Sequence, residues 1–245
     1  MRHSLGSEVR GPRRVVTLTD AVRFIDAVGY CLLFPIKNLP LPSLYYAVTR
    51  RRSVTWDSYT EKIWEWKGEL GRRRRAFYTK FFKGRGTFIS LKLLPHFLAM
   101  RNSAASAGDA EVYYRAGRIS ADARSIWEAL AEHGPLATLE LRHACKMDRK
   151  AGNARFKRAM AELQCLLLVF YSGAEQETAA WPSGRFELTA QAFPREVRTA
   201  RRITPDHARA VLARKYFEWH PAAPPQLLAR LFGWSKGEAV AACKP

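Results

Sequence analysis

Along most of this chain apolar residues recur at helical spacing, broken in a few places by short runs dense in Val, Phe, Tyr and Leu. The most legible stretch runs from Ser120 to Pro194. Ser120 is placed to cap a first helix with Asp122 in its first turn, and Gly134-Pro135 ends it. Ala123, Ile126, Trp127 and Leu130 form the buried stripe. Thr138 is placed to cap a short second helix, with Glu140 near its positive end and Leu141, Ala144 and Cys145 turned inward. After a turn over Met147 to Gly152, Asn153 is placed to cap a third helix whose apolar face is Phe156, Met160, Leu163 and Leu167. Leu166 to Tyr171 is too rich in strand formers to extend that helix, and Gly173 stops it. Arg185 to Thr189 reads as the return strand, leaving residues 174–184 as the connecting wing.

Three helices and then two strands is the order of a winged helix, most often a DNA-reading device. The third helix carries Arg155, Lys157 and Arg158 on its other faces, with Arg149 and Lys150 just before it and Arg185 on the wing. Cations around a helix N-terminus suit phosphate contact. A basic amphipathic helix can equally be a plain solvated face.

Before this module, Thr19-Asp20 is placed to cap a helix over Val22, Ile25 and Val28. Pro35, Pro40 and Pro42 then confine Cys31 to Ile36 to a buried turn or short strand, and Ser43 caps the next helix. From Thr55 to Leu70 the pattern is helical, with Tyr59, Ile63, Trp66 and Leu70 on one face and Gly71 as its stop. Arg72, Arg73, Arg74 and Arg75 follow, then Phe77, Phe81 and Phe82, a turn at Gly84 and Gly86, and a helix capped by Ser90. Small residues mark a linker near 102–118. Near the C-terminus, Thr204-Pro205 and Ser235 start helices on either side of PPQLLARLFG, the opening of a further helix-turn-helix. The expected fold is therefore mainly α with small β-hairpin wings, an α+β class of tandem winged-helix and helix-turn-helix domains. Its expected divisions are a disordered basic N-terminus (1–16), a helical winged-helix-like domain (17–101), the linker (102–118), a central winged helix (119–197) and an incomplete helix-turn-helix (198–245).

Charge sharpens the expected partner. The chain of 245 residues carries 41 Lys+Arg against 22 Asp+Glu, a formal net charge of +19. Through Arg118 the basic residues number 22 against 9 acidic ones, so both halves should face a polyanion. No apolar run reaches the roughly 20 residues a membrane span needs, and the N-terminus lacks an apolar signal core. Cys31, Cys145, Cys165 and Cys243 are scattered without a CxxC pair, and the histidines share no metal spacing. These features predict a cytoplasmic, nucleoid-associated protein without metal or organic cofactor. Its expected partner is double-stranded DNA and not a membrane, with Arg72 to Arg75 joining the later cations in contacting it.

Several stretches, taken in order, resemble the winged-helix DNA glycosylases of the AlkZ and YcaQ type and their AlkZ-related bacterial relatives. They are FIDAVGYCLLFP (Phe24 to Pro35), Thr55-Trp56-Asp57 with Ile63-Trp64-Glu65-Trp66-Lys67, the segment Ser90 to Met100, Ile119 through Leu163-Gln164, and Leu231-Phe232-Gly233-Trp234. The resemblance implies tandem winged helices on duplex DNA, bulky lesions or crosslinks as substrates, no cofactor, and hydrolysis of an N-glycosidic bond. It also implies a Gln-x-Gln or Gln-x-Asp pair after the first helix. Those places fall at or near Leu32 and Phe34, which can neither orient water nor stabilise a cation. The leading expectation is thus a DNA-binding relative of repair glycosylases without the usual catalytic pair. An active glycosylase using another acid, with Asp26, Asp57, Glu61, Glu65 and Glu69 as candidates, and a winged-helix transcription regulator are the alternatives.

Overall fold

The computed structural model describes residues 14–101, 109–176 and 182–243. These form a mainly helical α+β protein with two small antiparallel three-stranded sheets. The N-terminal segment expected to be loose lies outside the described residues up to residue 13, and Val15 is already buried.

Helix α1 (Leu18–Val28) is capped by Thr17, not by the expected Thr19. The Thr17 hydroxyl accepts from the Asp20 N–H at 3.1 Å while the Asp20 carboxylate accepts from the Thr17 N–H at 3.0 Å. Gly29, at φ 81°, ends it. Strand β1 (Tyr30–Leu32) occupies the apolar run ahead of the prolines. Helix α2 (Leu44–Thr49) follows its Ser43 cap, and helix α3 (Ser58–Arg72) starts from Asp57. Strands β2 (Phe77–Lys80) and β3 (Gly86–Ile89) flank a single tight turn at Phe82–Gly84, and the sheet order is β1-β3-β2. Helix α4 (Leu94–Met100) starts later than expected. Ser90 instead donates to the Asp26 carboxylate at 2.5 Å, and the N-cap position is Leu93. Within the stretch expected as a linker, Asp109 caps a helix, α5 (Ala110–Arg115), whose Tyr113 is buried with Ile119 and Ile126.

The second unit repeats the order of the first. Helix α6 (Ala121–His133) is capped by Ser120 and ends at Gly134, and short strand β4 (Leu136–Ala137) leads into α7 (Thr138–Ala144). Thr138 is the first residue of that helix and not its cap; its hydroxyl donates to the Gly184 carbonyl at 2.7 Å, tying α7 to the opposite strand. Leu141 is buried as expected, whereas Ala144 faces solvent at the last turn. Helix α8 (Gly152–Cys165) begins one residue before Asn153, with Ala151 at the cap position, and Gly152 sits against the Met147 backbone, where a Cβ would come within 2.5 Å of the Met147 carbonyl oxygen. Leu167 is not on its face; it lies past the helix end at φ 60° and is buried in the neighbouring unit's core. Strands β5 (Val169–Glu175) and β6 (Ser183–Leu188) pair around a bulge between Tyr171 and Gly173, giving the order β4-β6-β5. The expected wing is therefore partly strand, and residues 177–181 of it lie outside the described residues.

Helices α9 (Thr189–Ala192), α10 (Pro194–Ala200), α11 (Pro205–Phe217), α12 (Pro225–Phe232) and α13 (Lys236–Ala242) complete the chain, with Thr204 and Ser235 capping as expected. They share a core with the first sheet. Tyr30 packs edge-on to Phe97, Trp219 and Phe232, and its hydroxyl donates to the Leu212 carbonyl at 3.2 Å.

The two sheet units meet where α3 lies across β5. Gly71, expected to stop α3, is inside it and buried. A Cβ there would fall 2.6 Å from the Tyr171 carbonyl oxygen and 3.2 Å from the Gly173 nitrogen, so only glycine allows this approach of backbone to backbone. Neither obstacle is a side chain that can rotate away. Gly71→Ala is expected to lower stability by about 1–3 kcal/mol, read as a shift of the urea midpoint; an unchanged midpoint would mean that α3 and β5 separate freely.

Candidate functional site

Two features are open to solvent and chemically unusual. The first is the basic outer side of α8. Phe156, Ala159, Met160 and Leu163 are buried, which turns Arg155, Lys157 and Arg158 outward. Arg155 is committed to Asp122 of α6, with Nε at 2.9 Å from Oδ2, and this hydrogen bond holds the Asp122 carboxyl below the usual carboxylate range. Arg149, Lys150 and Lys157 are exposed and make no ion pair among the described residues.

The remaining cations expected to touch a polyanion are divided by the fold. Arg185 bridges the hairpin, with Nη1 at 3.0 Å from Glu175 and Nη2 at 3.2 Å from the Pro135 carbonyl. Arg72 and Arg73 both bind Glu69, one turn back on α3. Arg74 adopts φ 48° and reaches across to Glu187 of β6, at 2.8 and 3.0 Å from its two oxygens. Arg75 is exposed. Four adjacent arginines thus point in different directions, as consecutive positions at a helix end must.

The second feature is a cavity of about 880 Å³ between α3 and the β5–β6 hairpin. Its walls include Trp64, Tyr78, Tyr171 and Phe186, with Glu65, Glu69, Arg72 and Lys80 also lining it, and Gln164 from the end of α8. Lys67 enters it from α3. The residue is only 8 % exposed, its Nζ lies 3.8 Å from the Trp64 ring centroid and 4.6 Å from that of Tyr171, and among the described residues no carboxylate pairs with it. Burial, with a smaller push from the Lys80 charge, lowers its pKa to about 8. Ring faces give the ammonium partial compensation, which is why a buried lysine survives here. Periodicity could have exposed it: Lys67 lies four residues after Ile63 and three before Leu70, on the apolar face of α3.

The positions where the resemblance puts the polar pair are apolar in their surroundings too. Leu32 is fully buried in β1, and Phe34 stacks on Trp64 at 6.3 Å, one ring behind the cavity wall. Among the candidate acids, Asp26 accepts from Ser90, Asp57 caps α3 and pairs with Arg51, and Glu69 holds two arginines. Glu61 is exposed on α3, and Glu65 lines the cavity without an ion pair among the described residues.

The family model described as AlkZ related matches residues 15–233. The chain belongs to the AlkZ-related family. No curated protein and no solved structure matches it. The match spans both sheet units and most of the C-terminal helices, so the AlkZ-related segment contains the whole α8 face and the whole cavity. Among the described residues no helix is long and apolar enough to cross a membrane, and no three His, Cys, Asp or Glu side chains converge to hold a metal ion.

The lowered pKa of Lys67 has a signed effect on stability. Its cost is fully present below pH 8 and is relieved as pH rises toward 10.5, because the unfolded chain binds more protons across that interval. Burial pushes up the Cys31 thiol and the Tyr78 and Tyr171 hydroxyls, which opposes this from about pH 9 for the thiol and above about pH 10 for the phenols. From pH 8 to 10, urea titrations are expected to show the parent chain gaining up to about 3 kcal/mol relative to Lys67→Met. Equal slopes in the two proteins would show that the amine is not held in a desolvated site.

Proposed function

We propose that this AlkZ-related chain is a sequence-tolerant duplex-DNA-binding protein built from winged helices, and that it lacks the glutamine-based catalytic pair of the glycosylases. Both sheet units follow the helix, strand, helix, helix, strand, strand order of a winged helix, with the last strand in the middle of each sheet. On this reading the domains are 17–101, 119–197 and 198–245, joined through 102–118. The observation that carries it is the outward basic side of α8, the third helix of the second unit, in a chain of net charge +19.

Phosphate contact then falls first to Arg149, Lys150, Lys157 and Arg158, with Arg155, Arg185 and Arg72 to Arg75 contributing where their internal partners leave a donor free. The pairing of Leu32 and Phe34 with apolar neighbours supports the absence of water-positioning chemistry at that place. One observation favours a second reading, an active glycosylase: Glu65 lines a cavity large enough for an extruded base. Release of abasic sites from alkylated or crosslinked duplex, above that from intact duplex, would establish it.

Fluorescence anisotropy with a labelled duplex at two salt concentrations checks the DNA-binding reading. Affinity is expected to fall steeply with salt, and the double variant Lys157→Glu/Arg158→Glu should weaken binding by roughly tenfold or more and flatten the salt slope. Affinity that ignores both salt and the substitutions would overturn it.

A further inference from the structure

The cavity contains a nucleophile that duplex binding does not use. Lys67 Nζ stands in a space of about 880 Å³, walled by the rings of Trp64, Tyr78 and Tyr171, with no carboxylate pairing among the described residues to hold it as an ammonium. Most buried lysines are matched by an acid; this one faces rings and a second cation, Lys80. Glu65 and Glu69 line the same cavity, but neither is ion-paired to Lys67, and Glu69 is engaged by Arg72 and Arg73. An amine desolvated in this way is suited to attack a carbonyl carbon. With its pKa near 8, roughly a quarter of it is neutral at pH 7.5, against about one in a thousand for an ordinary lysine.

The surroundings also define what carbonyl compound fits. The volume suits a group of nucleotide size, the ring walls suit the apolar faces of a sugar or base, and Arg72 and Lys80 suit phosphate. An abasic site in DNA combines these properties, since its ring-opened sugar ends in an aldehyde at C1 flanked by phosphates.

We propose that the cavity between α3 and the β5–β6 hairpin is an abasic-site pocket in which Lys67 captures the sugar aldehyde as an imine. This rests on the duplex-DNA reading above. In the step, the Nζ lone pair forms a bond to C1, the carbonyl oxygen takes up the two protons leaving the amine and departs as water, and a C=N bond remains. No oxidant, metal or cofactor is consumed. Hydrolysis reverses it.

The test is reductive trapping. A duplex with one abasic site is incubated with the full chain and cyanoborohydride, which delivers hydride to the imine carbon and fixes a secondary amine. A covalent adduct is expected on Lys67 by peptide mapping, with a rate that climbs between pH 7 and pH 9. It should be absent with intact duplex and fall by more than about tenfold in Lys67→Arg, which keeps the charge but cannot form the imine. Melting curves of the variant verify folding, and anisotropy on the same duplex verifies binding. If the chain binds the duplex but the adduct is missing, or persists undiminished in Lys67→Arg, the inference is overturned while the DNA reading stands. If duplex binding itself fails, 2-deoxyribose 5-phosphate with cyanoborohydride tests the pocket alone: selective labelling of Lys67 upholds the aldehyde pocket, and labelling spread over surface lysines overturns it.

Discussion

The close approach of α3 to β5 is the constraint on which the arrangement of this molecule depends. Gly71 admits the Tyr171 carbonyl where any side chain would collide, and the bulge between Tyr171 and Gly173 turns the strand so that its backbone can lie there. Around that contact the other ties between the units fall into place. Arg74, reversed by its positive φ, grips the buried Glu187, and the Thr79 hydroxyl donates to the Gln164 carbonyl at 2.9 Å. Beside that contact, Gly68, Glu69, Arg72 and Tyr171 line the cavity.

That geometry explains how a chain of net charge +19 distributes its cations. Many arginines are anchored by acids on their own or neighbouring elements, as Arg155 is by Asp122 and Arg185 by Glu175, so they shape the surface as much as they charge it. Arg149, Lys150 and Lys157 are left facing solvent, where long-range attraction of a polyanion is strongest. Lys67 is the exception in the interior. Its ammonium has ring faces instead of a carboxylate, so its charged form is held at a cost that a structural ion pair would have avoided.

The C-terminal helices serve the same rigidity from the other side. Phe232 and Trp234 stack on each other at 4.5 Å, Phe232 packs edge-on to Phe82, and the Trp234 indole N–H points at the Met100 sulfur. The first sheet is thereby buried between the second unit and α11 to α13, fixing the position from which α3 presents Lys67.

The sequence by itself determined the three-helix, two-strand order of the central module, the caps at Ser43, Ser120, Thr204 and Ser235, and most of the buried positions of α3, α6 and α8, Tyr59 being exposed and Leu167 lying past its helix; it also determined the basic character of α8 and membership of the AlkZ-related family. These are local or compositional: a cap needs a side chain within three residues, and a stripe needs only its period. Where local signals competed, tertiary contacts decided. Thr19, Ser90, Thr138 and Asn153 are all good caps, yet none of them caps: Thr17 has a reciprocal partner in Asp20, Ser90 is drawn to Asp26, Thr138 to the β6 backbone, and the α8 cap position falls at Ala151. Gly71 has the local signature of a helix stop and is a packing residue instead. Lys67 was readable as a charge on an apolar face, but its rings come from α3, β2 and β5, segments brought together only by the fold. A cavity has no period and no motif; it is a difference between surfaces that meet from distant parts of the chain, so only the tertiary structure could place it.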